Sequence, residues 1–328
     1  MPKVIIGPAT LAGVNGPYLD LLKNAGFDPV WPRRRAQMNE AELLELLAGV
    51  EASLAGSEPY TMRVLGAHPQ LRVIARVGVG YDAVDLAAAT KHGAAVTITP
   101  GTNQDAVAEH TLLLMLALAK NLVPQHNGTV AGNWPRQANL PLRGRTLGLA
   151  GIGRIGKAVA MRGAAFGMPL IAYDPMPDRD FAAKWNVRLV SWEELLTQSD
   201  YLSLHMPATA ESRHMINRKA LALMKPTAFL INTARGALVN EPDLVEALQN
   251  KRLAGAGLDV FEHEPPGDNP LLKLQNVVVT PHAAGVDLQS RDDMALSAAQ
   301  AIVDLYQGKW PAEKVVNAAV KDVFRWKT

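Results

Sequence analysis

The chain has 328 residues, 48% of them apolar and 20% charged, with 33 basic and 31 acidic side chains, a net charge of +2 and no cysteine. That length suits about two domains with full cores, and the near-balance of charge excludes a nucleic-acid or membrane-surface binder driven by bulk charge. Without cysteine there are no disulfides, thiolate metal sites, iron–sulfur clusters or thiol nucleophile, which fits a cytoplasmic protein.

In chain order, the first strand is expected at 3–6, where Val4-Ile5-Ile6 is broken by Gly7-Pro8, too short a run for a secretory signal. A helix around 19–24, a strand at 28–30 and a helix opening at Asn39 follow, the last with Glu42 as its capping-box partner. Next come a strand at 52–55, a helix after Pro59, a strand at 71–75, a helix at 86–92 and a strand at 95–98. Pro100-Gly101 punctuates the chain, and a long helix is expected from 105 to 122, its apolar part at 112–119 too short to span a bilayer. A looser polar stretch with Asn127-Gly128 and Gly132-Asn133 follows.

Further strands are expected at 146–150, 170–173, 201–204, 228–232, 254–258 and 277–280, with helices ending at Phe166 and starting near Ser191 (boxed by Glu194), Lys219 and Glu241. A last helix at 289–307 should return to the first half. Alternating strands and helices mean parallel sheets covered on both faces. The expected fold class is α/β, two doubly wound lobes, with residues 1–100 plus 287–328 in one and 101–286 in the other. The run Arg33-Arg34-Arg35 reads as a solvated loop, or as a guide for an anionic substrate.

Gly151, Gly153 and Gly156 fit G-x-G-x-x-G, directly after a strand and opening a helix. The first glycine permits the tight turn, the second lets a pyrophosphate approach the backbone, and the third lets the helix pack on the sheet. Asp174 ends the next strand about 20 residues on, where a carboxylate would bind ribose hydroxyls and repel a 2′-phosphate. This favours NAD over NADP.

Of eight histidines, His68, His92, His126 and His214 have no chemical context, His110 reads as a core or cleft-wall residue, and His205 suits a positioning role near a cofactor. His282 follows a strand and Pro281, at the edge where α/β proteins bind ligands. A carboxylate holding its ring would keep a proton available; Glu264, stiffened by Pro265-Pro266, is the better candidate and Glu262 its rival. Arg235, between Ala234 and Gly236 after another strand, can hold a carboxylate and polarise a neighbouring carbonyl. No metal site is expected.

These motifs resemble the D-isomer-specific 2-hydroxyacid dehydrogenase family over nearly the whole chain: Gly151 to Gly156 with Asp174, Asn232-Thr233-Ala234-Arg235-Gly236, Gly257-Leu258-Asp259-Val260-Phe261 through Glu264-Pro265-Pro266, and Thr280-Pro281-His282. Arg76-Val77-Gly78-Val79-Gly80-Tyr81-Asp82 and Thr99-Pro100-Gly101-Thr102-Asn103 are most similar to the phosphoglycerate-dehydrogenase-like branch. The resemblance implies a Rossmann NAD-binding domain, a flavodoxin-like substrate-binding domain, a cleft between them, and a homodimer built on the long helix. It implies Arg235, Glu264 and His282 as the catalytic triad. It implies cofactor contacts from Gly151, Gly153, Arg154, Ile155, Gly156, Asp174, His205, Pro207, Thr233, Ala234, Asp259 and Gly285. Substrate contacts would come from Arg76, Val77, Gly78, Asn103, Arg136 and Arg235.

The implied reaction is hydride transfer between NAD(H) and a small 2-oxo or 2-hydroxy acid. If Arg76 and Arg136 point inward, the acid carries a distal anion and is 3-phosphoglycerate-like or sulfolactate-like. The small residues Gly56-Ser57, where some phosphoglycerate enzymes have an Arg, leave hydroxypyruvate/glyoxylate reductase open. A non-enzymatic NAD-sensing protein on the same fold is the alternative of another class. Formate dehydrogenase relatives typically have Gln in place of Glu264, which argues against that option.

Overall fold

The computed structural model describes residues 1–32 and 36–326, so the Arg33-Arg34-Arg35 run lies outside the described residues. The elements in order are β1 (Lys3–Ile6), α1 (Pro17–Asn24), β2 (Asp28–Val30), α2 (Glu40–Leu46), β3 (Val50–Ala55), α3 (Met62–Ala67), β4 (Val73–Arg76), α4 (Leu86–Lys91) and β5 (Ala95–Thr97). Then follow α5 (Gln104–Ala119), α6 (Leu122–Val130), β6 (Leu147–Ala150), α7 (Arg154–Ala165), β7 (Leu170–Tyr173), α8 (Arg179–Lys184), β8 (Val187–Leu189), α9 (Trp192–Gln198) and β9 (Tyr201–Leu204). The chain closes with α10 (Arg218–Leu223), β10 (Phe229–Asn232), α11 (Glu241–Gln249), β11 (Gly255–Leu258), β12 (Val277–Val279) and α12 (Leu288–Tyr306). Contacts divide it into two compact units, Met1–Asn103 with Val286–Thr328, and Gln104–Gly285. The cuts expected after 100 and 286 fall after 103 and 285, because α5 opens at Gln104 and the turn after β12 ends at Gly285.

The first unit holds a five-stranded parallel sheet in the order β2-β1-β3-β4-β5. Side chains alternate across each strand, so Val4 and Ile6 pack with Leu19, Leu22, Ala298 and Ile302 of α1 and α12. Ile5 points to the other face, toward Leu43, Val64 and Ala88 of α2, α3 and α4. The capping box at Asn39 and Glu42 opens α2.

The second unit holds a seven-stranded parallel sheet in the order β12-β11-β10-β9-β6-β7-β8. Leu202, Leu204, Leu230 and Leu258 face α9, α10 and α11, while Leu147, Leu149 and Ile231 face α5 and α7. α5 lies close over β11 because Gly257 has no side chain; a Cβ there would sit 3.0 Å from Leu114 Cβ. The strand order reverses at β6, and the loops after β6 and β9 flank that switch point, where parallel sheets bind ligands.

Two expectations are corrected. The helix expected over 105–122 stops at Ala119, and the looser polar stretch after it is largely the helix α6. Asn121 takes a left-handed conformation (φ 49°), and the two helices meet at a 62° bend. Pro124 sits in the first turn of α6, where its missing N–H costs no bond. In addition, α8 and β8 at the sheet edge were not expected; they are six and three residues long, too short to carry a readable period. No single described helix is long and apolar enough to cross a membrane.

Candidate active site

β10, β11 and β12 run parallel and side by side, so their carboxyl ends share one edge. The loops leaving them carry Arg235, Glu264 and His282 respectively. Gly236 lets the first loop press against the second: a Cβ there would fall 1.9 Å from the Phe261 carbonyl carbon. Asn232 ties the Arg235 loop down, its amide donating to Arg235 O (2.8 Å) while its Oδ1 accepts the Ala234 N–H. Arg235 Nη1 donates to Ala234 O at 2.6 Å.

The structure brings Glu264 and His282 together. His282 Nδ1 donates to Glu264 Oε2 at 2.7 Å, and the other carboxylate oxygen accepts the Phe261 N–H at 3.0 Å. Burial pushes the Glu264 carboxyl up, but the His282 hydrogen bond and charge, the Phe261 N–H and the Arg235 charge outweigh it and hold the group below its ordinary value. With Nδ1 committed to an acceptor-only carboxylate, Nε2 is the ring atom left for proton exchange. The rival Glu262 is engaged elsewhere, accepting from His214 Nε2 at 2.5 Å and pairing with Arg213. That gives His214, which had no context in the sequence, a partner 48 residues away.

His282 itself has a left-handed backbone, φ 54°. A non-glycine residue there needs its surroundings to hold it. Asp259, 1% exposed at the end of β11, does so. Its carbonyl accepts the His282 N–H (2.8 Å), and its carboxylate accepts the Thr280 hydroxyl (2.6 Å) and the Ala283 and Ala284 N–H groups (2.9 Å each). His110, on α5, reaches Thr280 Oγ1 with Nε2 at 2.9 Å. Sequence spacing gave no signal for this pair, which lies 170 residues apart. Gly285 closes the turn, half-buried.

A phosphate cradle lies at the switch point. Cβ atoms on Gly151 and Gly156 would strike His205 O at 2.7 Å and Gly151 O at 2.1 Å, whereas one on exposed Gly153 would meet nothing within 4 Å. Close packing below and open space above is what a pyrophosphate needs. Gly153 caps α7 without a side-chain bond, and Arg154 and Ile155 form its first turn. Asp174 accepts the Ile152 and Met176 N–H groups at 2.8 Å each, one per oxygen, so it is fixed against the turn. The residues present therefore fit a dinucleotide.

His205 Nε2 meets Ser203 Oγ at 2.9 Å, while its buried Nδ1 has no hydrogen-bond partner among the described residues. Burial pushes this imidazole down to about 3. Pro207 is exposed and its carbonyl accepts the Ser212 hydroxyl. Ala234 is half-buried, and Thr233 is buried with its hydroxyl on Thr111 of α5 at 2.9 Å.

The expected substrate residues of the first unit are placed separately. Arg76 is 7% exposed and its Nε donates to Gly80 O at 2.8 Å. Val77 is half-buried, Gly78 (φ 150°) donates to Thr99 Oγ1 at 3.1 Å, and Asn103 is buried. Arg136, in the second unit, lies in the exposed stretch 131–140.

Residues 112–284 match the family model described as the NAD binding domain of D-isomer specific 2-hydroxyacid dehydrogenases. A glyoxylate reductase from Korarchaeum cryptofilum is 42% identical over 272 residues, 81% of this chain and 82% of the relative. A D-3-phosphoglycerate dehydrogenase from Methanocaldococcus jannaschii is 40% identical over 285 residues, 85% of this chain but 54% of the relative. The D-lactate dehydrogenase from Aquifex aeolicus, solved with NAD and lactic acid, superposes with a TM-score of 0.85 at 30% identity, covering 96% of this chain and 99% of that one.

Buried His205 predicts a pH effect. Unfolding raises its pKa from about 3 to the ordinary 6.5, so between those values the unfolded chain binds a proton the folded chain refuses, and this contribution to stability is lost as pH falls. The stability gap between the native chain and His205→Gln should therefore narrow from about pH 7 to about pH 5 in urea titrations. A gap independent of pH would contradict it.

Proposed function

The chain belongs to the D-isomer-specific 2-hydroxyacid dehydrogenases, NAD-dependent oxidoreductases, and from that premise we propose that it interconverts a small 2-oxo acid of the glyoxylate or hydroxypyruvate kind with its 2-hydroxy acid. The observation that carries the reading is the 2.7 Å contact between His282 Nδ1 and Glu264 Oε2 beside the Arg235 loop. Gly151, Gly153, Gly156 and Asp174 would hold the nicotinamide cofactor, whose chemistry there would be to give or take a hydride. For reduction, His282 Nε2 gives a proton to the substrate's carbonyl oxygen, and Glu264 stabilises the imidazolium before the transfer. Arg235 holds the substrate carboxylate and offsets the charge growing on the carbonyl oxygen. Oxidation uses the same Nε2 as base on the hydroxyl.

Arg76 supports the small-substrate reading. It is buried on its own loop carbonyl, and the buried Glu58 carboxyl lies within its electrostatic reach. A guanidinium engaged in this way is poorly placed to hold a distal anion. The second reading, a 3-phosphoglycerate-like or sulfolactate-like acid, draws on the exposed Arg136 and on the M. jannaschii relative.

The reading extends to a homodimer. Leu113, Leu122, Val123, Val130 (75% exposed) and Trp134 (76% exposed) put apolar side chains in water along α5, α6 and the following stretch. A second copy covering them would remove that exposure.

Three measurements test these statements. With NADH, glyoxylate or hydroxypyruvate should give the highest kcat/KM in a panel that includes pyruvate, phosphohydroxypyruvate and sulfopyruvate. His282→Ala should lower turnover at least ~100-fold. A tenfold preference for a phosphorylated or sulfonated acid would favour the second reading, and cofactor binding with no turnover on any acid would favour a non-enzymatic NAD sensor. Light scattering should give twice the 35.3 kDa chain mass, and a monomer at micromolar concentration would rule the dimer out.

A further inference from the structure

We propose that His110 is a positioning residue for the proton-transferring turn, acting through Thr280 on the segment that carries His282. The inference rests on the reading of His282 as the proton donor. Asp259 accepts at both carboxylate oxygens, so the single proton of the Thr280 hydroxyl, whose oxygen lies 2.6 Å from Oδ1, goes to Asp259. Thr280 Oγ1 is then left as an acceptor. The imidazole nitrogen 2.9 Å away must donate to it, which places a proton on His110 Nε2. The same nitrogen lies 3.7 Å from Asp259 Oδ1, so His110, Thr280 and Asp259 form one connected group.

That group is what the turn hangs on. Pro281 and His282 are exposed, so packing does not hold them. The left-handed His282 backbone is retained by hydrogen bonds to Asp259: its own N–H to the carbonyl, and those of Ala283 and Ala284 to the carboxylate. The two carboxylate bonds hold the turn only if the Asp259 carboxylate keeps its rotation. Thr280, itself met by His110, bonds the same Oδ1 that accepts the Ala283 N–H and so helps to fix that rotation. His110 is itself anchored by α5, which packs against β11 through Gly257 and Leu114. The helix thus adds a reference point on the backbone side of a turn whose ring Glu264 holds at Nδ1, and Nε2 of His282 is sensitive to tilt because proton transfer requires near hydrogen-bond geometry.

The test compares His110→Leu, which removes the donor, with His110→Gln, whose side-chain amide can still donate to Thr280. Hydrogen exchange in the intact chain reads the turn directly. In His110→Leu the amides of Ala283 and Ala284 should exchange at least about tenfold faster while those of β6 stay unchanged, and His110→Gln should restore protection. In steady state, His110→Leu should lower kcat for 2-oxo acid reduction about tenfold or more with the Kd for NADH within about twofold, and His110→Gln should recover most of it. Unchanged exchange at 283 and 284 would overturn the proposal. Accelerated exchange with undiminished kcat would overturn it too, as would a loss of kcat matched by an equal loss of NADH affinity or left unrescued by Gln. Near-normal turnover of His282→Ala would overturn the reading beneath it, and the exchange data would still show separately whether His110 holds the turn.

Discussion

One hydrogen bond, Glu264 Oε2 to His282 Nδ1, joins loops that leave neighbouring strands, and the second unit is arranged around making it possible. A carboxylate and an imidazole on separate loops meet only if both loops are held. The parallel order β10-β11-β12 puts the strand ends at one edge. Gly236 allows the Arg235 loop to lie against Phe261, whose N–H fixes one oxygen of Glu264. Asp259 gathers the far side of the turn that presents His282. The pairing orients the ring through Nδ1 and leaves Nε2 as the atom able to exchange a proton.

Around this bond, charge is distributed unevenly. At the cofactor turn, the imidazole of His205 is held neutral by burial, so it adds no positive charge beneath the phosphate cradle. In the proposed site the groups offered to a dinucleotide there are the backbone N–H groups at the start of α7 and Asp174. In the first unit, Arg76 and Glu58 are buried together at the carboxyl edge of the other sheet, an arrangement that spends a guanidinium inside the fold.

Much of this was legible in the sequence, for physical reasons. The five strands of one parallel sheet and six of the seven of the other follow from short β-branched runs separated by helical periods, and the boxes at Asn39 and Ser191 from polar residues placed three before a glutamate. Arg235, Glu264 and His282 could be singled out because each directly follows a strand. The remainder depended on partners that spacing cannot reveal. Glu262 and Glu264 are two residues apart with the same chemistry, and only the fold gives one to His214 and the other to His282. His110 looked like one more residue of an apolar helix until Thr280 was brought to it. The break at Asn121 was hidden by apolar residues on both sides, although Asn121 with Pro124 three residues on carried the signal. Arg76 donates from Nε to Gly80 O on its own loop, a contact that spacing cannot show.

The most direct test of the account is steady-state reduction by the native enzyme and by Glu264→Ala, which removes the acceptor of His282 Nδ1. The account predicts that kcat falls at least about tenfold while the Kd for NADH stays within about twofold. An undiminished kcat would contradict it.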